Sequence, residues 1–342
     1  MTKLPLEARS YLLMLGSVIA LSLGAVLALN ALVDPLWYFG GNGLGPVNFA
    51  FNERISKANR IAGHERDYDC IIFGDSRVTL LPERLIEGYR CYNMAFSSGT
   101  VSEFVDYANW LRGRGFSPRL VIVGLSATDF RVYVSPRNTP DFVREGRAPP
   151  SAAVSYLSLD VAGMSLRSLF GRSPVDRVYD REFRCHAAFP ALRYDPQVPV
   201  RDLLKGRFDE RASVDLYGKL RAVFPEARFV GYAPPISAWA IATYARIGWL
   251  QSYTAALHDA AEPFDRFLDF SAPSPMTADA SQTYDGTHYS ERANEEIAAS
   301  LLAWQGDVID LKQVTAKEML AIYRERLAAL APALRLAEEA QP

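Results

Sequence analysis

Cysteine and histidine are scarce in this chain, and their spacing excludes the common structural metal sites. The 342 residues include three cysteines and four histidines. Cys70, Cys91 and Cys185 form no CxxC pair and have no nearby pair of histidines, as a structural zinc site requires. We therefore expect no metal and no cofactor. We interpret the cysteines as small buried hydrophobic residues, while a Cys70–Cys91 disulfide stays open because export of the domain would permit one.

An excess of charge of either sign is also missing. The chain has 37 lysines and arginines against 39 aspartates and glutamates, and its formal net charge is −2. A chain with this balance has no long-range field that would gather nucleic acid or an anionic surface. We therefore expect no nucleic-acid partner. The hydrophobic content of 49% is ordinary for a globular protein and is sufficient for a sizeable core.

The sequence has one long hydrophobic run and lacks a second. Residues 11–33 carry no charged side chain, and at about 1.5 Å per residue this run reaches across a hydrocarbon core of about 30 Å. Lys3 and Arg9 precede the run and Asp34 closes it. Because positive flanks stay in the cytoplasm, this arrangement predicts an N-terminus inside and a main domain outside.

The run therefore predicts a single-pass protein of the inner (cytoplasmic) membrane. Residues 1–10 are expected to be cytoplasmic, residues 11–33 to be the transmembrane anchor, and the main domain to be periplasmic or otherwise extracytoplasmic. A cleaved signal peptide is one alternative, but the run is longer than the 7–15 residues of a signal h-region. A buried core helix is another, although a helix that is apolar on every side would need protein on every side.

Periodicity divides the rest of the chain into three parts. Residues 34–66 form a connector rich in glycine and aromatic residues, and residues 67–304 alternate short apolar runs with segments of helical period. This order predicts an α/β domain with an open, doubly wound, three-layer sheet of about five parallel strands. Within it, residues 129–212 are expected to be an insertion that caps the strand ends. Residues 305–342 predict a helical extension that packs on the domain, with a partner-binding or membrane-surface helix as the alternative. The expected strands are 70–73, 91–95, 120–124, 229–232 and 267–270.

A serine lies directly after the first expected strand. The sequence Gly74-Asp75-Ser76-Arg77 follows residue 73, at the carboxyl edge where open α/β sheets bind ligands. In such a strand-to-helix turn, backbone N–H groups can stabilise a developing oxyanion. A serine in this position is more often a helix cap, so the motif alone does not establish catalysis.

A possible base for this serine follows the last expected strand. Asp285-Gly286-Thr287-His288 stands directly before the final helix of the domain. A hydroxyl becomes a good nucleophile when an imidazole takes its proton and a carboxylate orients that imidazole. The three-residue spacing lets Asp285 reach His288, and the ends of the first and last strands can lie close together. The alternative is an ordinary polar turn at a helix entry.

Together these two motifs resemble the SGNH (GDSL-like) hydrolase superfamily, over roughly residues 68–304. The resemblance implies an SGNH or flavodoxin-like fold and a catalytic triad of Ser76, His288 and Asp285. It also implies an oxyanion hole in which Ser76 is joined by Gly99, the last residue of the block Asn93-Met94-Ala95-Phe96-Ser97-Ser98-Gly99.

The chain departs from the superfamily at one block. The third block usually reads GxND, whereas this chain has Gly124-Leu125-Ser126-Ala127-Thr128-Asp129 and therefore lacks the asparagine donor. Ser126 could donate a hydrogen bond to the oxyanion in its place. Loss of one such donor lowers a rate by roughly 10²–10³, which argues against efficient general hydrolysis and leaves room for slower transfer to a bound acceptor.

A single anchor followed by a divergent SGNH domain is also similar to membrane-anchored proteins that accompany multi-pass membrane O-acyltransferases in envelope polysaccharide modification. This resemblance predicts an extracytoplasmic O-acyltransferase with a glycan acceptor, and a multi-pass membrane O-acyltransferase as partner. One alternative is a carbohydrate esterase or deacetylase that uses water as acceptor. Another is a non-catalytic accessory protein of a polysaccharide-modification complex.

Overall fold

The computed structural model describes residues 5–125, 138–172, 177–188, 194–196, 211–303 and 308–339. The chain forms two compact units, which we call the anchor unit (Met1–Ala62 with Ala148–Ala188) and the sheet unit (Gly63–Arg147 with Phe189–Pro342). The helices of the described residues are α1 Leu6–Val33, α2 Glu53–Ile61, α3 Val101–Gly113, α4 Asp141–Arg144, α5 Ala152–Tyr156, α6 Leu159–Leu169, α7 Arg211–Val223, α8 Ala238–Arg246, α9 Leu250–Ala260, α10 Glu291–Ala303 and α11 Ala316–Glu339. The strands of the same residues are β1 Val47–Phe49, β2 Cys70–Phe73, β3 Cys91–Asn93, β4 Leu120–Gly124, β5 Arg177–Asp180, β6 Cys185–Ala187, β7 Arg228–Ala233, β8 Arg266–Asp269 and β9 Ile309–Asp310.

Helix α1 contains the charge-free run. It has 28 residues and, at 1.5 Å per residue, is about 42 Å long. It is long and apolar enough to cross a membrane, and the most apolar part of it is not covered by the protein. The helix ends at Asp34, which adopts a left-handed backbone with φ 48°. Its carboxylate accepts hydrogen bonds from the amides of Tyr38, Phe39 and Gly41, so the charge that closes the run also fixes the turn after it.

The rest of the anchor unit is built from parts of the expected connector and insertion. Strand β1 pairs with β5, and β5 pairs with β6, in a small antiparallel sheet. Residues 148–188, which we expected to belong to a cap of the α/β domain, therefore group with the N-terminal 62 residues instead. The buried Tyr179 of β5 donates a hydrogen bond to Glu53 of α2 at 2.6 Å, and the Lys57 ammonium lies 5.0 Å from the Tyr179 ring centre.

The sheet unit contains the five parallel strands that the apolar runs predict. Their order, with the short edge strand β9 included, is β3-β2-β4-β7-β8-β9. Strand β9 pairs antiparallel to β8 and was not predicted. The strand interiors are buried on both sides, because helices cover both faces: α10 packs on one face through Ile297 and Leu301, while Phe104 of α3 stacks on Phe73 at the other.

Local signals in the sequence set the ends of several helices. Thr100 and Glu103 form the capping box that begins α3. Helices α8 and α9 are separated at Gly248, whose φ of 79° is unfavourable for other residues. Helix α11 packs in the sheet unit, with Met319 and Tyr323 fully buried.

Cys70 and Cys91 form a disulfide. They lie opposite each other on the neighbouring parallel strands β2 and β3, with their Cα atoms 4.2 Å apart. Our preferred interpretation, two unpaired buried residues, is therefore wrong about the pairing, although both side chains are buried. The register of a parallel pair brings these two residues together, and that register cannot be read from the sequence. Cys185 is a free cysteine.

Candidate active site

Ser76 lies in the turn that follows β2, at the point in the sheet where the chain changes direction. From β2 the chain passes to β3 on one side and then to β4 on the other, and such switch points are where open α/β sheets bind ligands. The turn begins with Gly74, where an added Cβ would lie 2.4 Å from the Val78 side chain. Only glycine fits this close approach.

Asp75 holds the serine turn in place and is not part of the triad. Its carboxylate accepts the Arg77 amide at 2.9 Å and pairs with the Arg77 guanidinium at 3.2 Å. The Thr79 hydroxyl donates to the Ser76 carbonyl at 2.9 Å. These bonds leave the Ser76 side chain half-buried, with its hydroxyl available to a neighbour.

The structure brings the three predicted triad residues together. The Ser76 Oγ lies 2.8 Å from Nε2 of His288, although 212 positions separate the two residues. Nδ1 of the same ring lies 2.7 Å from Oδ2 of Asp285. The His288 side chain is 32% exposed, so part of the ring faces solvent. This is the hydrogen-bond order that serine nucleophiles use.

The turn of residues 283–288 is fixed by its own hydrogen bonds. Gly286 has φ 87°, a conformation that favours glycine, and its N–H donates to the Thr283 hydroxyl at 2.9 Å. The Thr283 hydroxyl in turn donates to the His288 carbonyl at 2.9 Å. The Gly286 carbonyl accepts the Ser237 amide at 2.8 Å. The imidazole is therefore carried on a rigid support.

The electrostatics of Asp285 favour its ionised form. Burial raises the pKa of this carboxyl, but hydrogen bonds from the His288 ring and from the backbone of Thr287 and His288, with the charge of His288, hold it well below the ordinary value. Oδ1 accepts the Thr287 and His288 amides at 2.8 Å and the Thr287 hydroxyl at 2.9 Å. With the carboxylate ionised, Nδ1 carries the proton and Nε2 faces Ser76 as an acceptor.

The other histidines have local partners of their own. His64 bonds to the Asp67 carboxylate at 3.0 Å and His186 to the Asp180 carboxylate at 3.1 Å. His258 lies 3.1 Å from the Val314 carbonyl. None of these arrangements includes a serine hydroxyl among the described residues. His288, whose Nε2 lies 2.8 Å from the Ser76 hydroxyl, is therefore the candidate general base.

The predicted oxyanion donors differ in whether their N–H groups already donate a hydrogen bond within the protein. Gly99 lies beside the serine turn, since an added Cβ would be 2.9 Å from the Gly74 carbonyl. Its N–H, however, donates to the Phe96 carbonyl at 3.0 Å, so it would have to leave that carbonyl to serve an oxyanion. Within the described part of the chain, the Ser76 N–H has no protein acceptor. Ser126 lies outside the described residues.

Two residues, Thr287 and Ser237, support the site in ways that the sequence did not indicate. Thr287 was part of the DGTH motif, but its hydroxyl bond to Asp285 was not anticipated. Ser237 supports the turn through its amide, and its hydroxyl lies 3.0 Å from the hydroxyl of Tyr194. Ser237 also caps α8 after β7, and a serine at a helix start is too common a signal to reveal this role.

No family model, curated protein or solved structure matches this chain. The residues that the structure describes contain no group of three or more histidine, cysteine, aspartate or glutamate side chains that could hold a metal ion.

Proposed function

We propose that this chain is a membrane-anchored, extracytoplasmic O-acyltransferase that passes an acyl group through Ser76 to a hydroxyl of an envelope or exported polysaccharide. The observation that carries the proposal is the unbroken hydrogen-bond chain from Ser76 through His288 to Asp285, at 2.8 and 2.7 Å. The resemblance of the Ser76 and His288 motifs to the SGNH hydrolase superfamily supports acyl-ester chemistry.

The reaction proceeds in two halves. In the first, Ser76 Oγ attacks the acyl carbon of the donor while Nε2 of His288 takes the hydroxyl proton, and Asp285 stabilises the imidazolium. The tetrahedral intermediate then releases the donor's leaving group, which takes the proton from His288. In the second half, an acceptor hydroxyl attacks the acyl-enzyme and gives its proton to His288. Collapse of that intermediate returns the proton to Ser76.

The oxyanion hole shapes the choice of acceptor. In the conformation described above, the Ser76 N–H can bind the oxyanion directly. The Gly99 N–H can contribute after its hydrogen bond to the Phe96 carbonyl breaks. Ser126 is proposed as the donor that replaces the missing asparagine. A site with fewer fixed donors stabilises the transition state less, by roughly 2.7–4 kcal/mol for each one lost. An acceptor bound next to the acyl-enzyme compensates through proximity, whereas free water does not.

Two observations support a location outside the cytoplasm. The Cys70–Cys91 disulfide is typical of oxidising compartments. Lys3 and Arg9 before the apolar run favour a cytoplasmic N-terminus and hence an exported sheet unit. We also propose a multi-pass membrane O-acyltransferase as the partner that supplies the acyl group, because a single anchor followed by an SGNH-like domain resembles the proteins that accompany such enzymes.

The proposal is tested with the full chain purified in lipid nanodiscs and given an aryl acetate, with and without a glycan oligomer. We expect release of the aryl alcohol, an acetyl group on Ser76 by mass spectrometry, and faster turnover with the glycan. Ser76→Ala should reduce release to the uncatalysed rate. Ser252→Ala, which changes an exposed serine of α9, is the matched control and should leave the rate unchanged.

Two outcomes would contradict the proposal. Hydrolysis that is the same with and without glycan identifies water as the acceptor and makes the protein an esterase. A Ser76→Ala chain that folds normally and fully restores polysaccharide modification in cells removes both enzymatic functions and leaves an accessory role.

A further inference from the structure

Exposed apolar side chains are concentrated in the anchor unit. Outside α1, the described residues include nine large hydrophobic side chains that are exposed, and eight of them belong to this unit. The larger sheet unit contributes only Ile247 to this set. Six of the eight lie on the short segment that contains α5 and α6. They are Val154, Leu157, Leu159, Leu166, Leu169 and Phe170.

The exposed apolar side chains of α6 form one face together with Phe170, the residue that caps the end of the helix. Leu159, Leu166 and Phe170 are spaced by seven and four residues, which places them above one another on a helix with 3.6 residues per turn. Leu159 is 79% exposed and Phe170 is 73% exposed. The opposite face, with Val161 and Ser165, is buried within the unit. Helix α6 therefore has two apolar faces, of which only one is covered by protein.

Helix α6 is fixed at a definite height along α1. The buried Asn30 side chain donates to the carbonyls of Tyr156 and Ser158 at 2.8 and 3.3 Å and accepts the Ser165 hydroxyl at 2.7 Å. A hydrocarbon core of about 30 Å that begins at Tyr11 extends for about 20 residues and ends near Asn30. The uncovered face of α6 thus lies at the level where the hydrocarbon core ends.

Charged side chains border this apolar face, as they do in helices that lie at a bilayer surface. Asp160 and Arg167 are both exposed and, seven residues apart, lie along one side of the apolar face. Arg172 is exposed just after the helix. A helix with an apolar face bordered by charges lies in the plane of the interface, with the apolar side chains about 5–10 Å into the headgroup and acyl boundary.

We propose that the segment from Ala152 to Phe170 is a membrane-contact surface, and that the occupant of its exposed apolar face is the lipid bilayer that α1 crosses. Leu159, Leu166 and Phe170 insert at the boundary of the hydrocarbon core, and Arg167 and Arg172 contact lipid headgroups. The surface is continuous with α1, so the anchor unit rests on the bilayer rather than standing away from it on a flexible stalk. This inference rests on α1 crossing a bilayer and is independent of acyl transfer.

The test attaches an environment-sensitive fluorophore to single added cysteines in the full chain, reconstituted in phosphatidylcholine vesicles under non-reducing conditions. Leu166→Cys and Phe170→Cys report the proposed surface. Leu21→Cys, on the exposed middle of α1, is the bilayer control, and Glu226→Cys, exposed in the sheet unit, is the solvent control. The unsubstituted chain gives the background from Cys185.

Quenching of each fluorophore by lipids that carry a nitroxide then measures how deep the labelled residue lies in the bilayer. We expect the labels at 166 and 170 to be quenched more by nitroxide near the headgroup than by nitroxide near the acyl chain end, and the label at 21 to show the reverse. Quenching of 166 and 170 by aqueous iodide should be several-fold weaker than at 226.

Three results would overturn the proposal. Labels at 166 and 170 that respond to iodide as strongly as the label at 226 would place this face in water. Labels shielded from iodide but insensitive to lipid nitroxide would show that protein covers it, either a second copy or a partner. A label at 21 that nitroxide lipids do not quench would remove the premise that α1 crosses the bilayer.

Discussion

Replacing Asp285 by asparagine tests the triad more sharply than removing the nucleophile, because it changes a proton position and little else. The native carboxylate accepts the Nδ1 proton of His288 at 2.7 Å on one oxygen and three further hydrogen bonds on the other. An asparagine can keep the three bonds of Oδ1 through its carbonyl. Its NH₂ group then faces Nδ1 and donates to it.

The consequence is a ring with the wrong tautomer. With Nδ1 accepting, the proton sits on Nε2 and points at the Ser76 hydroxyl 2.8 Å away, so His288 cannot take the serine proton. For the equivalent substitution in a serine protease triad, kcat falls by about 10⁴ with the geometry intact. We expect a loss of the same order in aryl acetate turnover by Asp285→Asn.

The matched control is Asp279→Asn. Asp279 lies six residues earlier and accepts the amide and hydroxyl of Ser281 at 2.9 and 2.7 Å, a bonding pattern like that of Asp285 with Thr287. It has no hydrogen bond to His288 among the described residues. This variant should keep turnover within a few-fold of the native rate. An Asp285→Asn chain with native turnover would refute the assignment of His288 as a base oriented by this carboxylate.

The remaining predictions concern stability and the serine turn. Reducing the Cys70–Cys91 disulfide, which links residues 21 positions apart, should lower the free energy of unfolding by about 3 kcal/mol, measured by urea denaturation with and without reductant; an unchanged midpoint would argue against the bond. Gly99→Ala places a Cβ 2.8 Å from the Phe104 ring and 2.9 Å from the Gly74 carbonyl, and should cost about 1–3 kcal/mol and reduce turnover, whereas Gly113→Ala, with open space around it, should do neither. Because the folded-state pKa of Asp285 is depressed, its contribution to stability is present above an ordinary value of about 4 and is lost as pH falls below it. The difference in unfolding free energy between the native chain and Asp285→Asn should therefore shrink on acidification, and a constant difference would contradict this.

The parallel strands could be predicted because each is a short run buried on both faces. Runs such as residues 70–73 and 120–124 leave no solvent face, so their hydrophobicity is continuous and stands out from the helical period around them. Strand β9 gives no such signal, since it has two residues. Strands β1, β5 and β6 give no such signal either, because each contains side chains that are only partly buried. Strand β1 also pairs with a segment more than a hundred residues away.

The two halves of the candidate site were predictable to different degrees, for a physical reason. Ser76 follows its strand by three residues, and local constraints fix its turn: the close approach at Gly74 and the Asp75 bonds to Arg77. His288 follows β8 by nineteen residues, so its position depends on tertiary bonds such as that between the Ser237 amide and the Gly286 carbonyl. Those bonds could not be inferred from the motif.

The position of His288 depends on the hydrogen bonds that hold its turn. Mutations near the site should therefore have two different effects, according to which part of the site they change. A change beside the serine turn, such as Gly99→Ala, places a Cβ against the Gly74 carbonyl and is expected to affect stability and turnover together. A change at Thr283, whose hydroxyl accepts the Gly286 N–H and donates to the His288 carbonyl, alters the turn that carries the imidazole more than the core. Because proton transfer requires the 2.8 Å contact between Nε2 and Ser76, the latter kind of change should reduce turnover while leaving the sheet unit folded.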